Sequence, residues 1–389
     1  MAKYIGALLL TAVLCYAGCY IVISNTRDED KYVNAYNEAY KNEAVLPEAE
    51  AGQIGRKEEM LLEFVSNNLL GKNGEIRSNA GPYGEGSATL SESVGLLMNY
   101  CVLRGKRGLF QKEFDFLKTE LFAGGTGIKS AIKWKTGKDV SCNAAIDDLR
   151  IIRALLDAYE KWGDKEYFNA AGFIQHEIYD KQVRGGCLRE FYDWGQKDAG
   201  GSIPLCYIDL YTIYRISAFN ENWIRVLDRG LSVIKGGRIG EDGPFLYKYY
   251  NCENGAYSVD EEFNNSKGIC LTYTLYTMLH LAEMNEDTGR FSEWLNGEME
   301  KGRLYAWYNP YTLKPAGKIE STAVYALAAV YAKKTGDNEL CGKIIDSMLK
   351  FMITDQKSPY CGGFGNGKTG DFYSFDNLTA LWALALAER

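Results

Sequence analysis

Ala323-Val324-Tyr325-Ala326-Leu327-Ala328-Ala329-Val330-Tyr331-Ala332 contains no polar face, whereas the next segment sets Leu340, Ile344, Ile345, Met348 and Leu349 against Glu339, Lys343, Asp346 and Lys350. As a helix, the first stretch has nothing to show to water and must be enclosed by protein. The second buries one stripe and solvates the other. A buried helix followed by an amphipathic one is the unit from which the fold is read.

The same alternation extends in both directions. Helical segments are expected at about 57–70, 88–104, 109–121, 143–162, 165–180, 205–218, 220–235, 269–284, 287–299, 319–335, 338–353 and 374–388. The even-numbered ones are apolar nearly all round. The eighth includes Ile269-Cys270-Leu271 and Leu275-Tyr276-Thr277-Met278-Leu279; the twelfth runs Leu378-Thr379-Ala380-Leu381-Trp382-Ala383-Leu384-Ala385-Leu386-Ala387. The odd-numbered ones are amphipathic, as in the third, where Phe114, Phe116 and Leu117 share space with Lys112, Glu113, Lys118 and Glu120. Six enclosed helices alternating with six solvated ones predict an all-α (α/α)6 barrel, six inner helices ringed by six outer. A helical solenoid also alternates, but it repeats its sequence, and no repeat is found here.

Ahead of the barrel, Tyr4 to Ser24 is almost entirely apolar, long enough to span a bilayer core, with Lys3 before it and Arg27-Asp28-Glu29-Asp30-Lys31 after it. An uncleaved membrane anchor over residues 1–24 is the favoured reading. A lipoprotein cut before Cys19 and a cleaved signal peptide are the alternatives, and all three export the rest of the chain. Residues 25–56 read as an acidic linker and 57–389 as the barrel domain. The expected location is therefore the bacterial cell surface, with an extracytoplasmic domain.

The net charge of −7 argues against nucleic acid as a partner. With only His176 and His280 in the chain, both inside helical segments, a Ser-His-Asp triad or a histidine-rich metal site is not expected. No phosphate-binding loop or dinucleotide fingerprint occurs in a strand–helix setting. No metal or cofactor is expected. Apart from Cys15 and Cys19, the cysteines are scattered without a C-x-x-C pair, so zinc-ribbon spacing is absent and no disulfide pairing can be read.

In a double ring the inner helices all start at one end, and acids mark those starts: Glu92, Asp147, Asp148, Asp209, Asp260, Glu320 and Asp376. Any one of them could be only a helix cap. Together they place several carboxyls at one mouth. The loops entering that mouth, 71–87, 123–142, 181–204, 236–268, 300–318 and 354–373, are long and hold Trp134, Tyr192, Trp194, Tyr257, Trp307 and Tyr373. An acidic groove rimmed by aromatic rings suits a polysaccharide, whose sugar rings stack while a carboxyl pair handles the glycosidic oxygen and a water.

The motifs resemble glycoside hydrolase family 8. Thr89-Leu90-Ser91-Glu92-Ser93-Val94-Gly95-Leu96 is similar to the family's segment with the catalytic acid, and Ala144-Ala145-Ile146-Asp147-Asp148-Leu149-Arg150-Ile151 to its signature helix. Tyr207-Ile208-Asp209, running on to Trp223, and Tyr257-Ser258-Val259-Asp260 resemble two further segments, the second carrying the base. Glu320-Ser321-Thr322-Ala323 and Tyr373-Ser374-Phe375-Asp376-Asn377-Leu378 look like the branch found with bacterial exopolysaccharide synthesis. The resemblance implies an inverting, endo-acting hydrolase of a β-1,4-linked polymer, with Glu92 as general acid and Asp260 as general base. Asp147, Asp148, Trp134, Tyr192, Trp194, Tyr257, Trp307 and Tyr373 would contact substrate. The first signature aspartate falls on Ile146, so Asp147 or Asp148 has to replace it, Asp148 being preferred. A monomer is expected. A silent glycan-binding protein, a degradative endoglucanase, xylanase or chitosanase, and a polysaccharide lyase are the rival readings.

Overall fold

The computed structural model describes residues 48–81, 88–123, 131–259 and 268–388. The expected anchor over 4–24, most of the linker and Asp260 lie outside the described residues. Among the described residues no helix is long and apolar enough to cross a membrane.

Twelve α-helices occur among the described residues: α1 Glu48–Phe64, α2 Ser91–Leu103, α3 Arg107–Phe116, α4 Ala145–Trp162, α5 Lys165–Gln182, α6 Leu210–Ile216, α7 Trp223–Gly236, α8 Leu271–Glu283, α9 Gly289–Glu300, α10 Thr322–Lys334, α11 Asn338–Leu349 and α12 Ser374–Ala387. The even-numbered helices form a closed ring. α2 packs on α4, α4 on α6, α6 on α8, α8 on α10, α10 on α12, and α12 returns to α2. The odd-numbered helices lie outside this ring, with α1 on α12, α3 on α2, α5 on α4, α7 on α6 and α11 on α10. The fold is an (α/α)6 barrel.

Enclosure explains the composition of the inner ring. Every residue of α10 from Ala323 to Lys333 is buried, and so is most of α12. α4 departs furthest from the apolar pattern: it buries Asp147, Asp148, Arg150 and Asp157. A buried charge survives only when paired. Asp147 is paired with Arg150, Arg153 with Glu283, and Asp157 and Glu160 with Arg215. The polar inner helix therefore brings its partners from its own next turn, from α8 and from α6.

Three features differ from expectation. α1 begins at Glu48 rather than 57, because its first turns lack the apolar periodicity that marks a helix in sequence, and it ends in a π turn over Val65–Leu69. α6 is only seven residues long. Leu205–Tyr207 forms a separate 3-10 turn, and the Asp209 side chain accepts a hydrogen bond from Thr212 N at 2.9 Å, starting the helix there. The third difference is that the mouth loops are not plain coil. β1 Val183–Arg184 pairs with β2 Cys187–Leu188, and β3 Tyr192–Asp193 with β4 Asp198–Ala199. β5 Ser202–Pro204, β6 Tyr249–Asn251 and β7 Tyr257–Ser258 form an antiparallel sheet, and β8 Ile269–Cys270 pairs with β9 Trp307–Tyr308. A disulfide, Cys187–Cys252, joins the β1–β2 hairpin to the turn after β6.

Candidate active site

Glu92 lies in the first turn of α2, where the chain leaves an extended residue, Leu90, for the helix. The loop behind it is fixed by Ser91 N donating to the Trp134 carbonyl at 2.9 Å. Ser91 Oγ donates to Asp147 Oδ2 at 2.9 Å, which ties α2 to the start of α4. Ser93 Oγ meets Ser374 Oγ at 2.8 Å and ties α2 to α12. Glu92 is thus set between the starts of its two ring neighbours.

Its environment is unlike that of a surface glutamate. Burial and then the negative charge of Asp147 push the Glu92 carboxyl from 4.5 up to about 7, with Arg150 opposing and Asp376 adding a little more. Asp147 is buried too, and burial lifts its carboxyl against the pull of Arg150 and Ser91. Arg150 Nη1 donates to Asp147 Oδ1 at 2.6 Å, and its guanidinium lies over the Tyr276 ring, 5.6 Å from the centroid. Glu92 is therefore held partly protonated near neutrality. That is the state an acid catalyst needs.

The remaining mouth acids divide by role. Asp148 is fully buried and accepts from Asn143 Nδ2 at 2.6 Å. Asn143 also donates to Gln182 Oε1 and accepts from Tyr192 N, so Asp148 belongs to a network that holds the 189–192 loop. Asp376 Oδ1 accepts from Ala323 N at 2.9 Å and from Ser321 Oγ at 3.2 Å, capping its neighbour α10 rather than its own helix. Glu320 accepts from Tyr325 Oη at 2.6 Å. Asp209 is not with Glu92; it packs against His280 and Glu283 in the last turns of α8.

Among the aromatic residues, Trp134 is 36% and Tyr373 54% exposed, beside the starts of α2 and α12. Tyr192 and Trp194 are half-buried on and just after β3, across which Trp194 N donates to Ser141 O. Trp307 sits on β9, opposite Cys270 at the start of α8. Tyr257 Oη donates to Val233 O at 2.8 Å and its ring stacks on Tyr247, which commits this side chain to packing against α7.

Arg150, Tyr276 and Gly95 were not singled out from the sequence. Asp147 and Arg150 have the i, i+3 spacing of a helical ion pair, which was the available signal. Gly95 is one turn below Glu92, and a Cβ there would come within 3.2 Å of Arg150 Cγ. A glycine inside a helix costs about 1 kcal/mol relative to alanine. Here it lets α2 approach the guanidinium closely. Only contact geometry reveals that.

No family model matches the chain. The putative lipoprotein YdaJ of Bacillus subtilis (strain 168) is 31% identical over 332 residues, covering 84% of this chain and 85% of that one. A structure described as a novel alpha-amylase from Clostridium perfringens superposes with a TM-score of 0.78 at 30% identity, over 85% of this chain and 97% of that one. The chain belongs to one family with YdaJ and the clostridial enzyme, and its fold is that of glycoside hydrolase family 8. YdaJ and the clostridial enzyme are its relatives by sequence. PssZ from Listeria monocytogenes (TM-score 0.67, 23% identity, 84% and 94% covered) shares the fold. So does endoglucanase Cel10, a family 8 glycosyl hydrolase from Klebsiella pneumoniae (0.58, 17%, 85% and 99%). The enzyme is a glycosidase.

Proposed function

We propose that this enzyme is an inverting, endo-acting hydrolase of a β-1,4-linked bacterial exopolysaccharide, working at the cell surface with Glu92 as general acid. The observation behind this reading is the Glu92 carboxyl, pushed up to about 7 at the barrel mouth beside Asp147 and Arg150. Asp147, which touches Arg150 and influences Glu92, is the better candidate to grip the sugar next to the scissile bond. Asp148 then serves the loop behind it.

In the mechanism, protonated Glu92 gives its proton to the glycosidic oxygen as the C–O bond breaks. The base takes a proton from the attacking water on the opposite face of the sugar. Asp260 is proposed for that task on the resemblance of its segment. β7 ends at Ser258, two residues earlier in the chain, and the Cys187–Cys252 disulfide holds the turn between β6 and β7. Inversion requires the two carboxyls to stand roughly 6.5–9.5 Å apart. Surface location is supported by the description of YdaJ as a putative lipoprotein. Retention through residues 4–24 or Cys19 is part of the same proposal.

A second reading has an observation of its own. The clostridial relative at 30% identity is described as an alpha-amylase, and Ile146 occupies the position of the first signature aspartate. The first favours an α-linked glucan, and the second removes a carboxylate that the β-1,4-cleaving pattern would supply. One experiment separates the two: reducing-end release from starch, β-glucan, xylan, chitosan and bacterial exopolysaccharides, with the product anomer followed by NMR. A β-linked polymer yielding α-anomeric product supports the first reading. Starch cleaved to β-anomeric product supports the second with the same acid. Products with a conjugated double bond, or no cleavage alongside retained binding, would overturn the hydrolase mechanism.

A further inference from the structure

Below the mouth, a cavity of about 90 Å³ runs between the inner helices and is lined by Ile146, Arg150, Arg153, Asp209, His280 and Glu283, among others. The hydrolytic reading uses none of the last three. His280 is 5% exposed, on the last turns of α8. Its Nε2 is 3.0 Å from the Cys206 carbonyl, which can only accept, so Nε2 carries the proton. Nδ1 then presents a lone pair, is buried, and has no hydrogen-bond partner. It faces Asp209 Oδ1 at 3.7 Å and Glu283 Oε2 at 3.9 Å.

These distances discriminate between occupants. A proton on Nδ1 would have to reach an acceptor within about 3.2 Å, and neither carboxylate is that near. A metal ion bonded at about 2.1 Å to each ligand in a tetrahedral site separates ligand atoms by about 3.4 Å, close to the observed spacings. The three ligand atoms all lie within 4.8 Å of one another. A histidine that donates its other ring N–H to a backbone carbonyl is in the orientation metal sites use. The carboxylates are held as well. Asp209 accepts from Thr212 N at 2.9 Å and Thr212 Oγ1 at 2.6 Å, and Glu283 accepts from Arg153 at 2.5 and 3.0 Å. Each oxygen keeps a second lone pair for an ion.

We propose that His280 Nδ1, Asp209 and Glu283 form a binding site for a divalent transition-metal ion of the zinc class, with water from the cavity completing its coordination. One imidazole and two carboxylates are the mixed nitrogen and oxygen set such ions accept. The ion would pin the end of α8 to the irregular segment that precedes α6. Arg153, on the same carboxylate, moderates the affinity through its positive charge.

The test is titration of chelator-stripped, full-length protein with Zn²⁺ by calorimetry, and with Co²⁺ by visible absorption, beside His280→Gln. Binding of one ion per chain, weakened by at least about 10-fold in His280→Gln, is expected, since losing a ligand costs no less than losing its supporting partner. A four-coordinate Co²⁺ spectrum in the wild type is the second expectation, and it does not depend on the variant folding. Absence of stoichiometric binding, equal affinity in a folded His280→Gln, or a Co²⁺ spectrum like that of the hydrated ion would overturn the proposal. Glycan cleavage is measured in parallel and should be unchanged in the variant, which keeps this result separate from the hydrolytic reading.

Discussion

Glu92 should set the alkaline limb of the activity profile, and the position of that limb can be worked from its surroundings. At pH 7 a glutamic acid with its ordinary value of 4.5 is about 0.3% protonated; with a value of about 7 it is half protonated. The barrel mouth thus supplies about 150 times more of the acid form. The decisive perturbation is Asp147→Asn, which keeps shape while removing the second-largest cause of the shift. Rates of kcat/KM from pH 4 to 9 on the preferred polymer should fall about tenfold per unit above a midpoint near 7 in the wild type. The midpoint should move to lower pH in Asp147→Asn, whatever the residual rate. Arg150→Gln, which removes the opposing charge, should move it the other way. A wild-type midpoint near 4.5, or one unmoved by either substitution, would refute the assignment of Glu92 as acid and the electrostatics behind it.

Other outcomes follow from the same structure. Glu92→Gln should lower kcat by about 10²–10⁴-fold while polymer binding, followed by affinity electrophoresis, persists. Glu113, fully buried on α3 with both carboxyl oxygens unpartnered, is pushed by burial from 4.5 up to about 8. Its folded form therefore keeps a proton that the unfolded chain releases, and stability should fall as pH rises from about 4.5 to 8. Glu113→Gln should remove up to about 4–5 kcal/mol of that loss, read by urea unfolding across the range. Replacing both Cys187 and Cys252 by Ser opens a link between residues 65 apart, worth at most about 4 kcal/mol by chain entropy. The expected result is a lower melting temperature and a raised KM, with the Glu92 limb unmoved.

The ring was legible because most of its enclosed helices are apolar nearly all round, and a helix of that kind has few places to go. Glu92 was legible because a Ser-Glu pair opens one of these helices. What escaped was interaction at a distance. Asp147 and Asp148 are adjacent in sequence and a hundred degrees apart around α4, and only the packing of α2 shows which one meets Glu92. The Cys187–Cys252 pairing depends on two hairpins whose strands are two or three residues long, too short to leave a periodic signal. Asp209 looked like one more mouth acid, but a late helix start took it to His280. Buried charges on α4 broke the apolar rule for inner helices, and their partners lie on segments far away in the chain.

The barrel is sealed by its ends. Arg104, just after α2, holds Glu58 of α1 and Glu388 beyond α12 together, and α12 must slot between α10 and α2 before the ring exists. Until the twelfth helix has been delivered, five inner helices have an open seam and exposed apolar surface. Such a protein cannot finish folding before α12 is available, and it closes in a late step once that helix arrives. The circular architecture thereby makes assembly of the carboxyl cluster depend on closure of the whole ring, because Glu92 is tied through Ser91 and Ser93 to the starts of both α4 and α12.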